Sequence, residues 1–169
     1  MTEQARVVLR DCEFALRDLR SGANPPQWRT RWVATVACLR AVGHVLQKVD
    51  GPTSPDISMA INRAWADLNA KKPEPRIFWD FIEQERNNVV KAYQRAAKQN
   101  VTIDAGTVVA SGAGVQVVRP KIMFHHVMDG GYFHGHDPRD LVAKAIEWWR
   151  AYLDKIDDDV KRSSGAPPA

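Results

Sequence analysis

Apolar residues recur at helical spacing through the first hundred positions. Val8, Cys12, Leu16 and Leu19 stand at i, i+4, i+8 and i+11 and predict a helix over 3–20. The stretch SGANPP at 21–26 breaks it, with Pro26 suited to a first helical position, where a missing N–H costs nothing. A second helix then runs to about Gln47 on the stripe Trp32, Val36, Leu39, Gly43 and Leu46, and Gly43 leaves room for a close neighbour. Ser54-Pro55-Asp56 reads as an N-cap and first turn, opening a third helix faced by Ile57, Ile61, Trp65 and Leu68. A fourth helix is expected from about Pro75 to Ala97, with Phe78, Ile82, Arg86, Val89 and Tyr93 turned inward.

After Asn100 the period drops from 3.6 to 2. β-Branched runs are broken by Ala-Gly, Ser-Gly-Ala-Gly, Arg-Pro and Asp-Gly-Gly, which predicts an antiparallel meander of three or four strands over 101–135. Asp137-Pro138 caps a last helix, 137–158, whose wide apolar face carries Leu141, Ala145, Trp148, Trp149, Tyr152 and Ile156. This helix is the nearest element able to close over the sheet. The acidic run at 154–159 opposes the helix dipole and is expected to fray, and 161–169 reads as a disordered tail. The expectation is a mostly helical α+β chain: one domain over 1–160, with a four-helix bundle (1–98), a small antiparallel meander and a C-terminal helix.

Length and composition change this picture little. A chain of 169 residues with 44% apolar content suits one domain with a real core. The net charge of +4 is too small to argue for nucleic acid alone, but it is uneven: residues 1–100 hold 16 basic against 11 acidic groups, and the rest hold 8 against 9. An anionic partner would therefore meet the front portion. Cys12 and Cys38 lie among apolar helical residues and read as core thiols of a reducing cytoplasm. No signal peptide or membrane-spanning run is evident.

Candidate chemistry lies in two places. The first is EQERNNVVKAYQ, residues 83–94, where Arg86 falls on the inward stripe and needs acceptors for five donors. With Asn87, the apolar pair Val89-Val90 and Tyr93, this run resembles the motif of the HEPN superfamily, helical bundles of toxin–antitoxin and other defence systems. The resemblance implies a homodimer in which basic residues of two subunits surround one RNA phosphate. It departs at Lys91, which stands where the family's histidine moves a proton. A lysine, with its ordinary pKa near about 10.4, is poorly suited to that step. The resemblance therefore implies a non-catalytic interaction or regulatory protein, with Arg86, Asn87, Lys91 and Tyr93 contacting an RNA phosphate or a partner protein and no cofactor required.

The second place is HHVMDGGYFHGHD. A hairpin turn at 129–131 would set His125 opposite His134 or His136, close enough to share a metal ion. The alternative function is accordingly a diverged nuclease, or a metal-assisted hydrolase using His125, His134 and His136. Adjacent His125 and His126 point to opposite sheet faces, so all four histidines of the run cannot converge. Arg20, Arg29 and Arg31 gather near Trp28, a basic–aromatic mixture compatible with nucleic acid or with a solvated loop. Six tryptophans, an excess for this size, favour a homodimer interface.

Overall fold

The computed structural model describes residues 1–22, 24–104, 108–111, 114–117 and 121–165. The helices are α1 (Glu3–Arg20), α2 (Pro25–Val45), α3 (Pro55–Ala70), α4 (Gln84–Ala92) and α5 (Pro138–Ser164). Two widened π-helical segments join this set: Leu46–Asp50 prolongs α2, and Ile77–Glu83 leads into α4. The fold is mostly helical α+β, and no helix among the described residues is long and apolar enough to cross a membrane.

Local chemistry sets several ends. Asn24 accepts from the Gln27 N–H at 3.0 Å, with Pro25 at the first helical position of α2. Ser54 accepts from Ile57 N–H at 3.2 Å and Asp137 from Arg139 N–H at 2.8 Å, each followed by proline. α1 is capped from a distance. The buried Asp50 carboxylate takes Gln4 N–H at 3.0 Å and Ala5 N–H at 2.8 Å. Asp157 takes Thr2 N–H and Oγ1 at 2.9 Å each, and Arg6 Nη2 at 2.8 Å. Burial of Asp157 opposes its charge, but the bonds from Arg6 and Thr2 prevail and hold its pKa below the usual value. The acidic stretch at 154–159 is therefore part of a helix that continues to Ser164, not a fraying end: one of its carboxylates is buried against α1. Of the expected tail, 161–164 is helical and 166–169 lies outside the described residues.

The core joins all five helices. Trp28, Trp32, Phe78, Phe81, Leu141 and Leu153 are fully buried, each contributing roughly 2–3 kcal/mol of apolar burial. α5 packs chiefly on α1, α3 and the 77–83 segment and only slightly on β4, so it is a member of the bundle and not a cover for the sheet.

The strand region also differs from the expected meander. β1 (Ala97–Asp104) pairs antiparallel with β4 (Lys121–Met128), and β2 (Val108–Ser111) with β3 (Gly114–Val117). Ala97 faces Met128 and Ser111 faces Gly114, so both ladders follow one hairpin register. The turns expected at 105–106 and 112–113, and the Arg119-Pro120 break, lie outside the described residues. Ala97 and Met128 are buried at the base of the hairpin, whereas the facing pair Val101 and Phe124 is 48% and 40% exposed. Its footing is the tilted contact of His126 with Trp28, ring centroids 4.6 Å apart and planes at 33°.

Candidate functional site

The inward face of the fourth helical stretch is Phe78, Phe81, Ile82, Glu85 and Val89. Glu85, only 2% exposed, is the buried ionisable residue of the run: its carboxylate accepts from Trp32 Nε1 at 3.0 Å and from Ala96 N–H at 3.1 Å. Arg86 stands one position further round, half-buried, and donates Nη1 to Asn87 Oδ1 at 2.8 Å. The expected inward stripe thus holds at Ile82 and Val89 and shifts from Arg86 to Glu85. The reason is ordinary helical geometry: Phe78, Ile82, Glu85 and Val89 stand at i, i+4, i+7 and i+11, which puts Glu85 inside the stripe and Arg86 at its edge.

Among the described residues no carboxylate forms an ion pair with Arg86. His44, near the end of α2, has its pKa lowered by burial and then by the charges of Arg40 and Arg86, against a smaller opposing effect of Glu83. Arg40 Nη2 binds Glu83 at 3.0 Å, while its buried Nε has no partner. Arg40 of α2 and Arg86 of α4 thus both bear on His44 through their charges, and Glu83, paired with Arg40, opposes them. Forty-two positions separate His44 from Arg86, and no sequence spacing announces the pairing.

The other motif residues go elsewhere. Lys91 is exposed and lies about 140° round α4 from Arg86, so the two do not share a face. Tyr93 closes α4 in a left-handed conformation (φ 50°), with its N–H turned back to the carbonyls of Asn88 and Val89 and its ring 67% exposed. It lines a second open cleft with Arg29, Arg95, Lys98 and Asn100. Lys98 there pairs with Asp129. Arg29 and Arg40 are eleven residues apart on α2, which places them on one helix face about 16 Å apart. The basic–aromatic mixture read near Trp28 is thus split: Trp28 is core, and Arg29 joins Tyr93.

Beside Arg40 and His44 a narrow cleft of about 70 Å³ opens between α2, α3 and α5. Its walls are Trp65, Phe78, Trp149 and Tyr152, and Gln47 and Asn62 add amides. Gly43 shapes one wall: a Cβ there would meet Trp149 Cη2 at 2.9 Å, so only glycine lets the indole lie against α2. The expected close neighbour of Gly43 is this tryptophan. Trp149 is buried, yet its Nε1 has no acceptor. Sequence periodicity assigned these aromatics to the core, and Trp28, Trp32 and Trp149 are there; Trp65, 40% exposed, is not. Most of the tryptophan excess that favoured an interface is absorbed within one chain.

The three proposed metal ligands are not gathered. β4 ends at Met128, and the chain passes through tight turns into α5 without a returning strand. His125 faces Asn100 across the ladder, His134 Nδ1 accepts Gly130 N–H at 2.9 Å, and His136 Nδ1 sits 3.2 Å from the Phe133 carbonyl. Among the described residues no group of three His, Cys, Asp or Glu side chains is placed to hold a metal ion. In comparisons with protein-family models, curated proteins and solved structures, nothing matches this chain.

Proposed function

We propose that this chain is a HEPN-like interaction protein that binds an RNA phosphate at Arg86, with Arg40 and His44 alongside, and has a regulatory rather than a degradative role. The observation that supports this reading is the half-buried Arg86 guanidinium, bonded to a neutral asparagine and not ion-paired among the described residues. Such a site is expensive to keep empty of anions and well suited to a phosphate. The cleft with Arg29, Tyr93, Arg95 and Lys98 offers the next phosphate and base contacts along a strand. By the family resemblance the reading also carries a homodimer and a cytoplasmic setting beside a toxin or antitoxin partner. Light scattering tests the dimer.

The test is fluorescence anisotropy with a labelled single-stranded RNA over a salt series. Affinity should fall linearly on a log–log plot, and Arg86→Ala should weaken binding and reduce the slope by about 0.7, the loss of one phosphate contact on a single strand. Binding indifferent to salt, or unchanged in Arg86→Ala, overturns the reading.

One observation favours a second reading as a diverged nuclease. Burial and the charges of Arg40 and Arg86 lower the pKa of His44, which favours its neutral form. A neutral imidazole can take the 2′-hydroxyl proton as that oxygen attacks phosphorus and the 5′-oxygen leaves. Metal-independent cleavage that is lost in His44→Ala would support it. A stable RNA complex over hours would exclude it.

A further inference from the structure

We propose that the outer face of α1 is a self-association surface, on which α1 of a second copy of this chain lies alongside and points the same way. The buried side of α1 is Ala5, Leu9, Cys12, Leu16 and Leu19. The opposite side carries Val7, Arg10, Asp11, Phe14, Arg17 and Asp18, all exposed. Val7 is 40% and Phe14 58% exposed. They stand seven residues apart and so form one apolar line along the helix. The charges are sorted about that line. Arg10 and Arg17 lie about 50–70° to one side of it, and Asp11 and Asp18 about 30–50° to the other. Among the described residues none of these four has an ion pair. Arg6, Glu13 and Arg20, nearer the neighbouring helix, do pair within the chain: Arg6 with Asp154 and Asp157, Glu13 with Arg150, and Arg20 with Asp140. Residues i and i+1 of a helix do not face each other, so Arg10 does not satisfy Asp11, nor Arg17 Asp18. Arg17 lies instead over the Phe14 ring, 4.2 Å from its centroid.

A face with a basic border on one side and an acidic border on the other fits a copy of itself. When two such helices lie parallel about a two-fold axis, the basic border of each meets the acidic border of the other. Arg10 then faces Asp11 of the second copy and Arg17 faces Asp18, at heights that differ by about 1.5 Å, and symmetry makes each pair twice. Val7 and Phe14 meet their own counterparts between the borders. An antiparallel pair would set each border against its like, at a cost in repulsion. Charge thus selects both the occupant and its direction. The contact lies on α1, whereas Arg86, Asn87 and Lys91 lie on α4, so this is not the motif-centred pairing that the HEPN resemblance implies, and it stands without that reading. One helix face about 27 Å long is small for an interface, and exposed ion pairs add specificity more than affinity, so the dimer should dissociate on dilution.

The test is sedimentation velocity of the full chain over a dilution series reaching about 1 mM protein. The unaltered chain should pass from monomer to dimer as concentration rises. Arg10→Asp with Arg17→Asp makes both borders acidic, and Asp11→Arg with Asp18→Arg makes both basic. Each double variant alone should dimerise at least about 10-fold more weakly, because every border then meets its like. An equimolar mixture of the two should recover the dimer, which also shows that both variants are folded. A chain that stays monomeric throughout overturns the proposal. So does a dimer of unchanged strength in both variants, which places self-association on another face, and so does a mixture that associates no better than its components. None of these results bears on phosphate binding at Arg86, which the RNA titration tests by itself.

Discussion

Replacing Glu85 by alanine should destabilise the chain far more than replacing its neighbour Arg86. Glu85 accepts from Trp32 Nε1, on a fully buried ring, and from the Ala96 N–H at the entry to the hairpin. Truncation leaves both donors unpaired, each costing about 1–3 kcal/mol, the half-buried backbone group at the lower end because water can reach it. Relief of the buried carboxylate's desolvation offsets part of this. The net expectation is a loss of about 2 kcal/mol. With a urea dependence of about 2 kcal/mol per M, the midpoint falls by about 1 M. Glu85→Gln keeps one acceptor for the indole but turns an NH₂ toward Ala96, so about half that loss is expected. Arg86→Ala removes a half-buried group bonded only to Asn87, and its cost should stay within about 0.5 kcal/mol. Urea unfolding followed by tryptophan fluorescence reads all three. If Arg86→Ala loses about 2 kcal/mol while Glu85→Ala stays within about 0.5, the buried face has been assigned to the wrong residue and Arg86 is a structural group.

Three further outcomes are expected. Asp50→Ala frees the Gln4 and Ala5 N–H groups at the start of α1 and should cost about 2 kcal/mol, a fall in Tm of about 4–8 °C by calorimetry. His126 has its pKa lowered by burial and by Arg139, against Asp137, so the stability it carries is full above its unfolded value of about 6.5 and is lost as pH falls below it. His126→Phe keeps a ring on Trp28 without a titratable nitrogen, so its urea midpoint should fall less than the parent's between pH 7 and 5; an identical fall in both refutes the assignment. Gly43→Ala gains up to about 1 kcal/mol of helix propensity but drives a methyl to 2.9 Å from Trp149, at about 1–3 kcal/mol of strain. A lowered Tm with altered tryptophan emission is expected, and a raised Tm would show that the indole moves freely.

The features legible in the sequence were local ones. Ser54-Pro55 and Asp137-Pro138 identify helix starts because the cap bond and the proline act within one turn of chain. The change of period announces strands, but β1 already starts at Ala97, where the fourth helix was expected to run, because Tyr93 in the left-handed conformation closes α4 at Ala92. The Arg86 stripe failed because Glu85 and Arg86 both fit a 3.6-residue period with Ile82 and Val89, and periodicity alone does not say which edge of the stripe the bundle covers. Asp129-Gly130-Gly131 has the residues of a hairpin turn, and Gly130 and Gly131 do adopt positive φ, yet no strand comes after them. Turn chemistry bends the chain without saying whether a partner waits beyond the bend. The caps of α1 by Asp50 and Asp157, like the meeting of His44 with Arg86, are products of packing between distant segments and leave no periodic trace.

The hairpin is mounted like a cantilever. Its contact with the bundle is concentrated at one end, at the tilted His126–Trp28 rings, the buried Ala97–Met128 pair and the Glu85–Ala96 bond, while eight residues of β1 run outward for about 26 Å. The consequence is leverage: a tilt of about 10° at the mounting carries the Asp104 end sideways by about 5 Å. Any event that disturbs the footing, whether a proton on His126 or a change at Glu85, is amplified along the beam and felt most by whatever meets its outer half.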